Sequence, residues 1–326
     1  MIECYCRQIG ESFDDYALRL YDHAAEYGLT VVRIAELLNA ESETPRGESS
    51  LRMYYKGYKA GLERSRTSTC AAERILCLSD LHCPFQLPIS TFRAYTGRVD
   101  VLVLNGDIVD GQGISKFPRT YRLSPMEEII EARSYLWDLI GMLKPKKVLV
   151  NYGNHDIRFQ SYLAKNLDTD ILELMPKTPL ELIFDDGFKH YDKKSGAKTH
   201  YRPLKELLLD VEIQYTGNWW CQYKNIIFCH PSAYSSGVMK TSEHALTYFR
   251  NEGLVFTELV MAHTHKLGEY TVGSTTMYEQ GCCCDITQNN YRDGTLTLSQ
   301  KEGFLYMCLD ADGNVIRDET KLVRLN

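Results

Sequence analysis

Five short polar motifs, each directly after an apolar run, constrain this chain more than any other feature. They are Asp80-Leu81-His82, Gly106-Asp107-Ile108-Val109-Asp110, Gly153-Asn154-His155-Asp156, the single His230, and His263-Thr264-His265. The apolar runs before them are residues 75–79, 101–104, 148–150 and 225–229, then 254–256 with 259–261. Runs this short and apolar read as buried strands. Open sheets flanked by helices bind ligands beyond the carboxyl ends of their strands. A fold that ends all these strands at one edge gathers imidazoles, carboxylates and an amide in one place. The pattern therefore calls for an α/β fold.

The donor types set the chemistry. Imidazole with carboxylate or amide oxygen suits a borderline divalent ion, with Mn the first expectation and Fe, Zn or Ni also suited. There are donors enough for two ions. Two ions held roughly 3.5–4 Å apart form a clamp for in-line attack on phosphorus. They would neutralise the charge of a phosphoester and lower the pKa of a bridging water, giving the attacking hydroxide. The leaving oxygen then needs a proton or a nearby positive charge. His155 suits this role because an unperturbed histidine titrates at about 6.5. Asp110 beside it would favour the imidazolium form. Asp107, as one anion between two cations, would offset their repulsion. Singly the motifs say little: Gly-Asp and Gly-Asn are common turns, Asp110 could cap a turn, and a lone His230 could be a packed histidine. Their joint placement carries the argument.

In this order the five motifs resemble the calcineurin-like metallophosphoesterase superfamily, over about residues 73–310. The resemblance implies a four-layer α/β/β/α sandwich. It implies a first metal on Asp80, His82 and His265 and a second on Asn154, His230 and His263, with Asp107 bridging. His155 would face the scissile phosphate as acid or charge stabiliser, held by Asp110. Two departures stand out. Ala262 replaces the glycine usual before His-x-His, a change of one methyl. Gly111 and Gln112 follow Asp110 where the protein Ser/Thr phosphatases of the superfamily have Arg-Gly. The missing phosphate-gripping arginine argues against that branch.

At 326 residues the chain is long enough for about two domains. The eleven cysteines, three of them consecutive at Cys282-Cys283-Cys284, fit no disulfide framework and point to reduced thiols in a cytoplasmic setting. Three adjacent residues do not easily converge on one ion, so the cluster reads as a strand alternating in and out of a sheet. No apolar run approaches the roughly 18 residues that cross a bilayer, so no membrane partner is expected. The first residues lack the pattern of a secretory signal. A net charge of −6 makes the whole molecule no electrostatic attractor of nucleic acid.

Residues 1–66 read as a small all-α module. The periodicity predicts a helix over 13–27, with Tyr16, Leu18, Leu20, Tyr21 and Ala24 apolar and Gly28 ending it. Thr30 would cap a second helix over 31–38, with Ile34, Leu37 and Leu38 on one face. A third helix runs over about 49–64. Three short helices ending in a basic one resemble helix-turn-helix modules, although the loop at 41–47 is longer than a strict turn. Arg46, Arg52, Lys56 and Lys59 are the candidate DNA contacts, with Tyr54, Tyr55 and Tyr58 among them. The alternative is a helical bundle used for packing or homo-oligomer assembly. Residues 67–73 form a polar linker.

The rest, 74–326, reads as the catalytic domain, with an insertion at about 157–224. Within it, 159–175 look helical, with Leu163, Leu167, Ile171 and Leu174 recurring. A further helix is expected over 178–184, a charged loop over 185–200, and strands or a hairpin over 207–223 turning at Gly217-Asn218. Trp219 or Trp220 could stack a base, although core packing is the commoner use. Lys189, Lys193, Lys194, Lys198 and Arg202 could meet phosphates or simply form a solvated face. A helix follows from Thr241 or Ser242 to Arg250, then a strand over 303–309. The expected activity is metal-dependent hydrolysis of a phosphoester, a phosphodiesterase or nuclease acting on nucleic acid. The alternative substrate is a small nucleotide or metabolite, with the N-terminal helices used for assembly. A non-enzymatic scaffold fits less well, because every expected ligand is present.

Overall fold

A computed structural model describes residues 5–7, 11–42, 44–67, 71–115, 123–193, 195–233, 235–288 and 300–325, with 60–67 described by backbone only. The predicted contacts of Lys194 lie outside the described residues. The chain divides into two units, Met1–Cys70 and Ala71–Asn326.

The first unit holds α1 (Phe13–Asp22), α2 (Val31–Ala40) and α3 (Glu48–Thr67). Ser12 and Thr30 cap the first two helices, their side chains accepting from the backbone N–H of Asp15 and Arg33. Each thereby satisfies an N–H that the first helical turn leaves without a partner. Tyr16, Ala17, Leu20, Ile34, Ala35, Leu38 and Leu51 form the core. Ala17, rather than Leu18, takes the buried position. The first helix stops at Asp22, five residues short of the expected end. There Leu29 N donates to Ala24 O, and Gly28 at φ 64° reverses the chain. A left-handed residue of that kind suits glycine, which has no Cβ to clash.

The second unit begins with β1 (Glu73–Leu78), β2 (Val101–Asn105), α4 (Pro125–Leu143) and β3 (Lys147–Asn151). Next come α5 (Arg158–Asn166), α6 (Thr169–Leu172), α7 (Pro179–Glu181), β4 (Phe188–Tyr191), β5 (Lys198–Tyr201) and α8 (Leu204–Leu207). The remainder is β6 (Glu212–Tyr215), β7 (Trp220–Tyr223), β8 (Ile226–Cys229), α9 (Lys240–Asn251) and β9 (Glu258–Met261), then β10 (Leu267–Val272), β11 (Thr275–Gln280), β12 (Gly303–Leu309) and β13 (Lys321–Arg324).

One sheet has the order β13-β12-β1-β2-β3-β6, the other β10-β11-β9-β8-β7. Strands β1, β2, β3 and β6 run parallel, as do β8, β9 and β11. The central strands are apolar on both faces because both faces are covered, as parallel sheets require. Ile75, Cys77, Val101, Val103 and Leu149 of the first sheet meet Ile226, Phe228, Val260 and Tyr278 of the second in one buried cluster. The outer face of the first sheet packs on α4 through Ile129, Ala132, Leu136, Leu139, Ile140 and Leu143. The outer face of the second packs on α9 through Ala245, Leu246 and Phe249. Helix, sheet, sheet and helix make the expected four layers. The entry into α4 is a capping box: Ser124 and Glu127 each accept the other's backbone N–H, with Pro125 in the first turn. No helix among the described residues is long and apolar enough to cross a membrane.

The structure corrects several local expectations. Of the strands or hairpin expected over 207–223, strands form: β6 and β7 lie in different sheets and do not pair with each other. Gly217-Asn218 is where the chain crosses from one to the other. Ile213 is buried beside β3, while Trp220 packs edge-on against Phe249, with ring centroids 5.2 Å apart. Within the stretch 157–224, β6 joins the first sheet and β7 the second. The expected loop over 185–200 contains the hairpin β4–β5, held by stacked Phe188 and Tyr201. The expected helix over 159–175 breaks at Leu167, where Asp168 accepts from Asp170 N and starts α6. Its apolar spacing does not mark a core: Ile171 and Leu174 are 47% and 80% exposed. Residues 178–184 hold only the short α7 and one wide turn. Residues 254–256 form no strand, and Val255 is exposed.

Candidate metal centre

Each of the five motifs sits just past a strand end, and three of the turns are sharp. Asp80, His82, Asp107, His263 and His265 have φ of 51°, 46°, 52°, 81° and 55°. Non-glycine residues adopt this left-handed region reluctantly, at a cost of about 1–2 kcal/mol each. Neighbouring backbone holds them there. Asp80 N donates to Gly106 O, His82 N to Asp107 O, and Cys83 N to Ile108 O. Glycine is required at two contacts. A Cβ on Gly106 would lie 2.5 Å from His230 Nδ1, and one on Gly153 would lie 2.2 Å from Asp107 Oδ1.

The turns bring the predicted residues together. Asp80 Oδ1 lies 3.1 Å from His265 Nε2, and His82 Nε2 lies 3.2 Å from the same atom. Asp107 Oδ2 lies 3.3 Å from His230 Nε2 and 3.8 Å from His82 Nε2. It thus stands between the two groups. Asn154 Oδ1 is 3.3 Å from His230 Nε2. His263 joins Asp107 and His230, their ligand atoms lying within 4.8 Å of one another, as do those of Asp80, His82 and His265. All but His263 and Asn154 are buried.

The far nitrogens fix what the near ones can do. His82 Nδ1 donates to the Asp110 carboxylate at 3.1 Å, His265 Nδ1 to Gln300 Oε1 at 2.7 Å, and His230 Nδ1 to the Asn105 carbonyl at 2.8 Å. With the proton on Nδ1, each neutral ring turns a lone pair inward from Nε2. With Nε2 deprotonated, three lone pairs would converge with the oxygens of Asp80, Asp107 and Asn154. Such a buried set of acceptors needs positive charge, and divalent cations fit it. The acidities agree. Burial opposes charge on Asp80 and Asp107, yet the surrounding imidazoles hold both carboxyls below their usual range. Burial lowers His265 and His230, but Asp80 and Asp107 outweigh it and push them to about 10 and about 9. A cation bound there would displace the Nε2 protons that these raised values favour.

Asp110 serves two rings. Its Oδ1 lies 3.1 Å from His82 Nδ1 and 3.2 Å from His155 Nδ1. His155 Nδ1 also donates to the Asp110 carbonyl at 2.9 Å, which leaves Nε2 facing the cluster, 4.0 Å from Asp107 Oδ2. Burial lowers the His155 pKa and outweighs the opposing pull of Asp107 and Asp110. Four residues with positions in this site had no role assigned from sequence. Asp156 accepts the N–H groups of Ile108, Val109 and Gly153, clamping two of the turns. Arg158 donates to the Asp110 carbonyl. Gln300 and Asn105 orient His265 and His230. Asp156 lay within a recognised motif; Asn105, Arg158 and Gln300 carried no local signal. Trp219 stacks on Phe249 and also lines a cavity of about 290 Å³ with Pro231, Tyr248 and His244.

Comparisons with known proteins bear on this geometry. A family model described as Calcineurin-like phosphoesterase matches residues 73–267, and one described as YonJ N-terminal domain matches residues 4–70. No curated protein matches the chain at a significant level. Similar solved structures include Vacuolar Protein Sorting 29 from Cryptosporidium parvum: 17% identical, 78% of this chain and 97% of that one covered, TM-score 0.38. Wild-type Vps29 complexed with zinc from Entamoeba histolytica is 14% identical, with 77% and 98% covered and a TM-score of 0.35. A novel archaeal phosphodiesterase is 13% identical, with 77% and 99% covered and a TM-score of 0.32. With motifs and family model in register over three-fifths of its length, the chain belongs to the calcineurin-like phosphoesterase family, whose members are metal-dependent hydrolases of phosphoester bonds.

Proposed function

We propose that this chain is a two-metal phosphodiesterase or nuclease acting on nucleic acid. The observation that carries this reading is the convergence of the Nε2 atoms of His82, His230 and His265 on two carboxylates and an amide oxygen. Asp80, His82 and His265 would hold one ion, Asn154, His230 and His263 the other, with Asp107 between them. Mn is the first ion to try, with Fe, Zn and Ni as alternatives. Bound there, the ions would neutralise the phosphoester charge and activate water.

His155 offers Nε2 to the reacting group, since Nδ1 keeps its proton on the Asp110 carbonyl. Burial favours the neutral ring, and an anionic phosphate within reach would favour its protonated form. It then hands that proton to the leaving oxygen. Asp110 positions His155 and His82 together. The N-terminal unit, with 67–73 as linker, would present nucleic acid through Arg46, Arg52 and Lys56. Lys59 contributes less, because it pairs with Asp22 beside Tyr55. That pairing favours a second reading, hydrolysis of a small nucleotide or metabolite with the helices used for homo-oligomer assembly. The buried thiols suit the reducing cytoplasm.

The test is incubation with Mn and three substrates: a chromogenic phosphodiester, a chromogenic phosphomonoester, and labelled single- and double-stranded DNA. Cleavage of DNA that disappears in His155→Ala supports the nuclease reading. Cleavage of the small esters alone transfers the assignment to the second.

A further inference from the structure

Three adjacent cysteines do not easily converge on one ion, although a cysteine-ligated ion at Cys282-Cys283-Cys284 is conceivable from the sequence. Strand alternation does separate them: Cys283 points into the core shared with α4. Cys282 and Cys284, two apart, lie on the other side. Their sulfurs and a His265 nitrogen all lie within 4.8 Å of one another, and both cysteines are fully buried. The backbone explains the approach. Gly281, at φ 80°, turns the chain out of β11, and its N–H donates to Lys266 O. Cys282 N then donates to Lys301 O, and Cys283 N donates to Ser79 O, the residue before Asp80. The segment thus runs along the end of β1. His265 belongs both to this group and to the Asp80–His82–His265 group.

From this shared histidine we infer that Cys282 and Cys284 are sulfur donors to the ion at Asp80, His82 and His265, making that position selective for a thiophilic divalent ion. The inference rests on the reading that those three residues hold an ion. Thiolate ligands favour Zn and Fe(II), whereas sites of oxygen donors suit Mn and Mg. Each thiol that ligates releases its proton to solvent. Buried thiols also serve as small apolar fillers, which is the alternative to be tested.

Cobalt(II) separates the inference from the reading beneath it. Added to the full-length apoprotein, Co(II) is expected to give visible ligand-field bands from an ordered site and a near-ultraviolet sulfur-to-cobalt charge-transfer band. In Cys282→Ser/Cys284→Ser the charge-transfer band should vanish while the ligand-field bands persist. Zn affinity should fall by at least about ten-fold, with Mn affinity changing less. Ligand-field bands without charge transfer in the unmodified protein would overturn the inference and leave the ion site standing. Absence of both would overturn both. Should the double variant not fold, zinc X-ray absorption on the unmodified protein decides. A sulfur shell at about 2.3 Å supports the inference, and a shell of nitrogen and oxygen alone at about 2.0–2.2 Å refutes it.

Discussion

Gly153→Ala is the sharpest single test of the proposed centre. Gly153 does not have a positive φ, so alanine meets no backbone objection there. The obstacle is contact alone: the new methyl would lie 2.2 Å from Asp107 Oδ1 and 2.5 Å from Asp107 N. Carbon and oxygen do not approach so closely, so the carboxylate must withdraw by about 1 Å, a displacement that can reduce turnover about a hundred-fold. The same Oδ1 accepts the His155 N–H at 2.7 Å, and that hydrogen bond stretches with it. Overpacking of this kind destabilises by about 1–3 kcal/mol, which lowers Tm by roughly 3–10 °C in a unit of this size. Metal content after dialysis, turnover of a chromogenic phosphodiester and a thermal melt measure the three effects. Gly141→Ala is the control. It lies in α4 with open space around it, and should leave activity intact while adding about 0.5–1 kcal/mol of stability. Full metal content and unchanged kcat/KM in Gly153→Ala would refute the proposed placement of Asp107 between two ions.

Three further predictions follow from the same contacts. Asp110→Asn removes the anion shared by His82 and His155, so it should lower both metal affinity and kcat, whereas His155→Ala should lower kcat with metal content unchanged; equal metal content in the two variants would contradict the shared role. Chelation should lower Tm, because ions held only by the folded state add about 2.7 kcal/mol at a free concentration of 100 Kd, and a melt unaffected by chelator would argue against bound ions. In the N-terminal unit burial raises the Asp22 carboxyl, but hydrogen bonds from Lys59 and Tyr55 outweigh it and hold the pKa below the usual value. The associated stability is present above the ordinary carboxylate range and is lost as pH falls through the depressed value; an NMR titration placing Asp22 at or above that range would refute the clamp.

The proposed centre was legible in sequence because its candidate ligands directly follow buried strands, and a short apolar run ending in Asp-x-His or Gly-Asp needs no distant information. The four layers were legible for the same reason. What remained hidden depends on which strand lies beside which. Residues 212–215 and 220–223 could be separate strands or the arms of a hairpin, and pairing with β3 and with β8 places them in separate sheets. Gln300 lies 2.7 Å from His265 Nδ1, and the Cys282–Cys284 pair lies near His265 just after β11, contacts no local spacing announces. In α5, α6 and the turn after them the apolar repeat is present, yet among the described residues no element covers Ile171 and Leu174, so periodicity alone overstated burial there.

The left-handed residues have a consequence for how such a chain can change. Among the described residues, five of the eight non-glycine positions with positive φ belong to the proposed centre. Together they amount to about 5–10 kcal/mol of conformational strain, comparable with the whole net stability of an ordinary domain. Glycine at any of them would relax the backbone and delete a ligand in the same step. Selection for thermal robustness alone would therefore erode this centre first, and laboratory evolution that ignores turnover should accumulate glycine or asparagine at Asp80, His82 and His265. The surrounding sandwich must be stable enough to hold the strain, so its rigidity is a precondition of the chemistry.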